Sequence, residues 1–138
     1  MPDESRAGET VVLIQSAADI VAARQQGREL ASRLGLSAGD LTVVATAISE
    51  VARNILQYAG RGEIRLSLIN SGPRAGLCVV ACDHGPGIAD VALALQDGYS
   101  THKGLGLGLP GARRLMDEFE IVSELGKGTT VTMRKWEH

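Results

Sequence analysis

Between Ala38 and Tyr58, apolar residues return at every third or fourth place, at Leu41, Val44, Ala45, Ile48, Val51, Ala52 and Ile55. That spacing belongs to one buried face of a helix and to no strand. Ser37-Ala38-Gly39-Asp40 supplies a start signal, and Gly60 and Gly62 a stop. What lies on either side limits the fold further. A second helical stripe, Ile20, Ala23, Gly27, Leu30, Ala31 and Leu34, comes just before, ended by Gly35. Two strand-like runs, Glu63–Asn70 and Gly76–Asp83, come just after, separated only by Ser71-Gly72-Pro73-Arg74, a hairpin composition. Two successive helices followed by two successive strands do not fit the strict alternation of a doubly wound parallel sheet.

The remaining segments extend this pattern. Thr10–Gln15 is apolar and β-branched and reads as a first strand, and Ser16-Ala17-Ala18-Asp19 opens the first helix as a capping box with Asp in the usual Glu place. Ile88–Leu95 fits a short helix, and Gln96–Gly108 a polar, glycine-rich mobile loop. Another helix begins near Leu109-Pro110 and runs to about Asp117. Phe119–Leu125 and Thr129–Trp136 form a closing hairpin around Gly126-Lys127-Gly128. The order predicts an α+β fold of two layers, with a mixed, mostly antiparallel sheet covered by helices on one face. Its 138 residues suit one domain.

Composition removes several function classes. Aromatic residues are 3% of the chain, too few for a base-stacking platform, and a net charge of -2 attracts neither nucleic acid nor an anionic membrane. No nucleic-acid or membrane partner is expected. The segment 1–8 has no apolar core of a signal peptide, and no run approaches about 20 apolar residues, so a cytoplasmic location is expected. Cys78 and Cys82 point to one face of one strand, too far apart for a disulfide, and read as two buried free thiols without a further pair to complete a metal site.

Three polar features remain. Glu50 and Asn54 are one helical turn apart and share a face, away from the stripe centred on Ile48. A carboxamide beside a carboxylate suits a Mg²⁺ ion and an attacking hydroxyl, although such a pair on the outer face of an amphipathic helix is more often solvated. Asp83 ends an apolar strand and is followed by Gly85-Pro86-Gly87, so its carboxylate is held where the backbone turns. There it either reads an amino group such as that of adenine or merely caps its own turn. The run from Gly104 to Gly111, just before a helix, exposes backbone N–H groups in the manner of a phosphate nest, with Ser100, Thr101 and Lys103 just ahead. Its Gly106-x-Gly108-x-x-Gly111 string follows a polar loop rather than a strand and so lacks the context of a dinucleotide fingerprint. Thr129 or Thr130, entering the last strand, either reaches a base through water or serves as a plain β-former, the commoner role of Thr at a strand entry.

In order and separation these motifs resemble the family that includes gyrase, histidine kinases and MutL, the GHKL proteins of the Bergerat fold. The resemblance implies an ATP pocket formed by Asn54, Asp83, Gly85, Gly87, Ile88, Gly104, Gly106, Leu107, Gly108 and Thr129, with Mg²⁺ held partly by Asn54. The strings Asp19–Gln25, Thr46–Ile55, Tyr58–Gly62 and Arg114–Phe119 look like the RsbT-type switch kinases of the bacterial stressosome, with His102 and Lys103 as small departures in the loop. This closer likeness implies a serine/threonine protein kinase with Glu50 as catalytic proton acceptor. Its partners would be STAS-domain scaffold and antagonist proteins and a downstream output protein, a phosphatase or another signalling enzyme. An anti-sigma-like module using ATP only as a conformational ligand is the alternative. An autonomous sensor histidine kinase fits poorly, since no helical hairpin carries a phosphoacceptor histidine.

Overall fold

The computed structural model describes residues 4–88, 91–95 and 108–137, without the side chains of 4–7, 92 and 93. The chain runs β1 (Glu4–Ile14), α1 (Ala17–Ala31), α2 (Ala38–Tyr58), β2 (Gly62–Ser71), β3 (Arg74–Asp83), α3 (Val91–Ala94), α4 (Gly108–Leu115), β4 (Glu118–Glu124) and β5 (Gly128–Trp136). The strands form one sheet in the order β1-β2-β3-β5-β4, and all four pairings are antiparallel. The parallel component allowed by a mixed sheet is absent among the described residues. With two helices between them, β1 and β2 meet antiparallel, and the two hairpins keep that sense.

Helix α2 matches its expected bounds because both ends carry chemistry. The Ser37 hydroxyl accepts the Asp40 N–H at 3.0 Å, and the Ala59 and Gly60 amides close on the last carbonyls. The start of α1 is only half of the expected box. Asp19 accepts from the Gln15 amide at 2.8 Å and the Ser16 hydroxyl at 3.2 Å, while Ser16 caps no helical N–H. The regular part of α1 stops at Ala31 rather than Leu34, because the Arg33 and Leu34 amides bond three residues back and tighten the last turn. β1 begins earlier than its apolar run, since a bulge between Ala7 and Thr10 interrupts the alternation that marks a strand in sequence. α3 is a single turn within the expected Ile88–Leu95 helix, and α4 ends at Leu115, the Asp117 amide turning to the Arg134 carbonyl.

The core lies between the helices and one face of the sheet. Ile48, Val51 and Ile55 of α2 and Ala23 and Leu30 of α1 meet Ile14, Ile64, Leu66, Leu77, Val79 and Met133. The other face carries a smaller cluster of Ile69, Cys78 and Trp136, with the Arg74 guanidinium 4.1 Å above the indole ring. Cys78 and Cys82 are free thiols on this second face. Cys78 is buried as expected; Cys82 is only half-buried, nearer the strand end, with the Thr130 hydroxyl 3.7 Å from its sulfur. Among the described residues, no helix is long and apolar enough to cross a membrane.

Candidate functional site

Helix α2 is the spine of the site. Near its middle stands Glu50, and at its end Ala59 touches the turn that follows β3. Nine residue steps along the helix and its cap separate the two, roughly 13 Å. A Cβ on Gly85 would lie 2.5 Å from the Ala59 Cβ, so only glycine lets this turn approach the helix. Gly87 combines a positive φ of 79° with close contact against the Glu124 carbonyl, which excludes any side chain there. The two glycines thus press the turn between α2 and the β4–β5 hairpin.

Asp83 is 7% exposed, and its Oδ1 is fully engaged. That oxygen accepts the Gly85 N–H at 2.8 Å, the turn-capping bond, and the Thr129 N–H at 3.3 Å from the neighbouring strand. Oδ2 accepts no bond from a described residue, so the carboxylate caps its turn with one oxygen and keeps a second acceptor. The alternation of β5 decides between the two threonines. Thr129 is buried beside Asp83, its register partner, whereas Thr130 turns to the opposite face.

Glu50 is not the solvated residue that an outer helix face usually carries. It is 6% exposed because α4 covers that side of α2, and its Oε1 accepts the Gly108 N–H at 3.0 Å. Arg53, one turn on, places Nη1 3.0 Å from the same oxygen, as an ion pair off the line of a hydrogen bond. A helical wheel of α2 alone shows which residues share a face but not which distant segment covers it. Asn54 is half-buried, and its amide bonds no described residue.

The structure places these residues in two groups along α2: Gly108 against Glu50, with Asn54 one turn on, and Gly85, Gly87, Ile88 and Thr129 around Asp83 at the end of the helix. Gly104, Gly106 and Leu107, with Ser100, Thr101, His102 and Lys103, lie outside the described residues. Two contributors escaped sequence reasoning. One is Arg53, the ion-pair partner of Glu50. The other is Ser123: its hydroxyl lies 2.7 Å from the Ile88 amide, 2.8 Å from the Thr129 hydroxyl and 3.3 Å from the Gly128 carbonyl. Its signal was available, since Phe119, Ile121 and Ser123 alternate on one face and the third is polar where the first two are apolar.

Among the described residues no group of three or more His, Cys, Asp or Glu side chains could hold a metal. That fits Mg²⁺ all the same, for this ion takes one or two protein ligands and leaves the rest to phosphates and water. Asn54, whose amide bonds no described residue, has the chemistry of such a ligand.

A histidine kinase-like ATPase domain matches residues 14–135. The chain belongs to that family. It is 48% identical to the serine/threonine-protein kinase RsbT of Bacillus subtilis over 128 residues, 93% of this chain and 96% of RsbT, and so stands with RsbT inside the family. It is 30% identical to the anti-sigma F factor of Thermoanaerobacter sp. over 77% of each chain. Among solved structures it resembles the RsbU and RsbW domains of Rv1364c from Mycobacterium tuberculosis, with a TM-score of 0.62 at 20% identity over 96% of this chain and 34% of that one. The mycobacterial sensor histidine kinase MprB gives 0.53 at 16% over 99% and 97%. At these identities the two structures speak for the fold alone.

Proposed function

We propose that the chain is a single ATP-binding kinase domain that transfers the γ-phosphoryl group of ATP to serine or threonine of STAS-domain scaffold and antagonist proteins, in the cytoplasm, as part of a stressosome. On release from them it would bind and activate a downstream output protein. The observation that carries this reading is the identity with RsbT along nearly the whole chain, joined to a buried carboxylate fixed at the start of α4. RsbT is named a serine/threonine-protein kinase, and the anti-sigma F relatives support the partner-switching half of the proposal.

The residues divide the work. Asp83, through Oδ2, accepts the amino group of adenine, and Thr129 stands beside it. Gly104, Gly106 and Leu107 receive the phosphates, and Gly108, whose N–H is held by Glu50, closes that run. Asn54 would ligate Mg²⁺, which when bound neutralises phosphate charge. Glu50 orients the incoming hydroxyl and takes its proton as the new oxygen–phosphorus bond forms and the bridge to the β-phosphate breaks, leaving ADP. Phosphoryl transfer asks chiefly for positioning, and a carboxylate held by both Gly108 and Arg53 is positioned.

Incubation of the protein with labelled Mg-ATP and STAS proteins from the same source tests the proposal. Label on serine or threonine is the expected result. ATP binding without transfer to any of them would replace the kinase by an ATP-gated anti-sigma-like module.

A further inference from the structure

We infer that Ser123 sets the hydrogen-bond polarity of the base end of the pocket, and thereby its preference for an aminopurine over an oxopurine nucleotide. The inference rests on the reading of Asp83 and Thr129 as the groups that face the base, and adds a residue that touches no ligand.

The reasoning is a count of protons. A serine hydroxyl has one proton to give and two lone pairs to receive with. The Ile88 amide, 2.7 Å away, can only donate and occupies one lone pair. The Gly128 carbonyl, 3.3 Å away, can only accept and takes the proton. Of the two directions open to the 2.8 Å contact with Thr129, only Thr129 donating leaves the Ser123 proton for Gly128, and with it Ser123 keeps all three contacts. All three capacities of Ser123 are used, and the single proton of Thr129 is turned away from the pocket.

What Thr129 keeps for a ligand is lone pairs. Asp83, its partner across β3 and β5, has Oδ1 occupied by two amides and is a carboxylate, acceptor only at Oδ2. Both side chains then present acceptors. That suits the amino group at position 6 of adenine, which donates twice, directly or through water. It opposes the carbonyl oxygen that guanine or hypoxanthine carries at the same place. Were the Ser123 hydroxyl missing, the Thr129 proton would rotate freely and offer that oxygen a donor. Ser123 is thus a positioning residue that acts through Thr129.

Calorimetric titration of the full chain with Mg-ATP, Mg-GTP and Mg-ITP tests this on the native protein, Ser123→Ala and Ser123→Thr. The expected result is an ATP preference that falls about tenfold in Ser123→Ala, the worth of one hydrogen bond, and is kept in Ser123→Thr, which retains the hydroxyl. In a Thr129→Val background, Ser123→Ala should leave the ratio where Thr129→Val put it. Equal weakening for all three nucleotides is what a packing role would produce, and it overturns the inference, as does an additive effect in the double variant. A native protein with no preference for ATP removes the base-reading assignment and the inference with it; a preference that survives Ser123→Ala removes only the inference.

Discussion

Helix α4 is fastened at its two ends by different kinds of group. At its last turn the Lys135 ammonium approaches the Leu115 carbonyl at 3.4 Å, Asp117 at 3.5 Å and Asp40 of α2 at 4.0 Å, one neighbour for each of its three protons. Asp117 also accepts the Trp136 amide at 2.8 Å, and Glu118 the indole N–H at 2.7 Å. At the first turn a single carboxylate oxygen, that of Glu50, meets the Gly108 N–H. Both ends answer the same need, the unpaired backbone groups of a helix terminus. The far end spends its polar groups on one another, whereas at the site end the proposed proton acceptor is itself the fastener. Stability and chemistry should therefore separate along α4.

The largest effect expected is on the site side. Glu50→Gln keeps an oxygen for the Gly108 amide and loses the proton acceptor, so phosphoryl transfer should fall by about 10²–10⁴-fold while ATP affinity and melting temperature stay near native. A fully active variant in a phosphotransfer assay would remove Glu50 from the chemistry. Next comes Asp83→Asn, in which an amide oxygen can still serve Gly85 and Thr129 while an NH₂ replaces Oδ2. ATP affinity should weaken by about 1.5–3 kcal/mol, more than tenfold, with the fold intact. Native affinity in a calorimeter would mean that Asp83 only caps its turn.

Lys135→Met breaks the opposite end. The side chain is nearly buried, and its loss leaves the Leu115 carbonyl without its cation, although Asp117 keeps the Trp136 amide. Unfolding in urea should show a loss of about 1–3 kcal/mol, with ATP affinity unchanged. A fall in affinity comparable to that of Asp83→Asn would erase the distinction between the two ends.

The same division explains what could be read in the sequence. α2, the two hairpins and the element order announce themselves through local signals: apolar spacing, Ser37, the Gly72-Pro73 turn. Glu50 and Asp83 are legible as candidates, but their surroundings are not. The burial of Glu50 depends on Gly108, 58 residues away, and Ser123 acquires meaning only through Ile88, 35 residues away. The three-way pairing of Lys135 with Leu115, Asp117 and Asp40 likewise joins four separated positions, with no periodicity to betray it. Spacing reports the face of an element; the partner on that face is a tertiary fact.

The smallest effect concerns the caps of the two long helices. Ser37 accepts the Asp40 amide at the start of α2, the turn whose Asp40 carboxylate reaches Lys135, so the cap belongs to the far end. Ser37→Ala should cost about 1 kcal/mol in chemical unfolding and nothing in phosphoryl transfer. Ser16 stands at the matching place before α1 and caps no N–H there, so Ser16→Ala should be nearly neutral by the same measurement. Equal losses for the two serines would mean that the local propensity of the residue, rather than the bond seen only at Ser37, sets the cost. A rate change in Ser37→Ala would mean that strain at the start of α2 is transmitted along the helix to Glu50, and the two ends of the molecule would then be coupled after all.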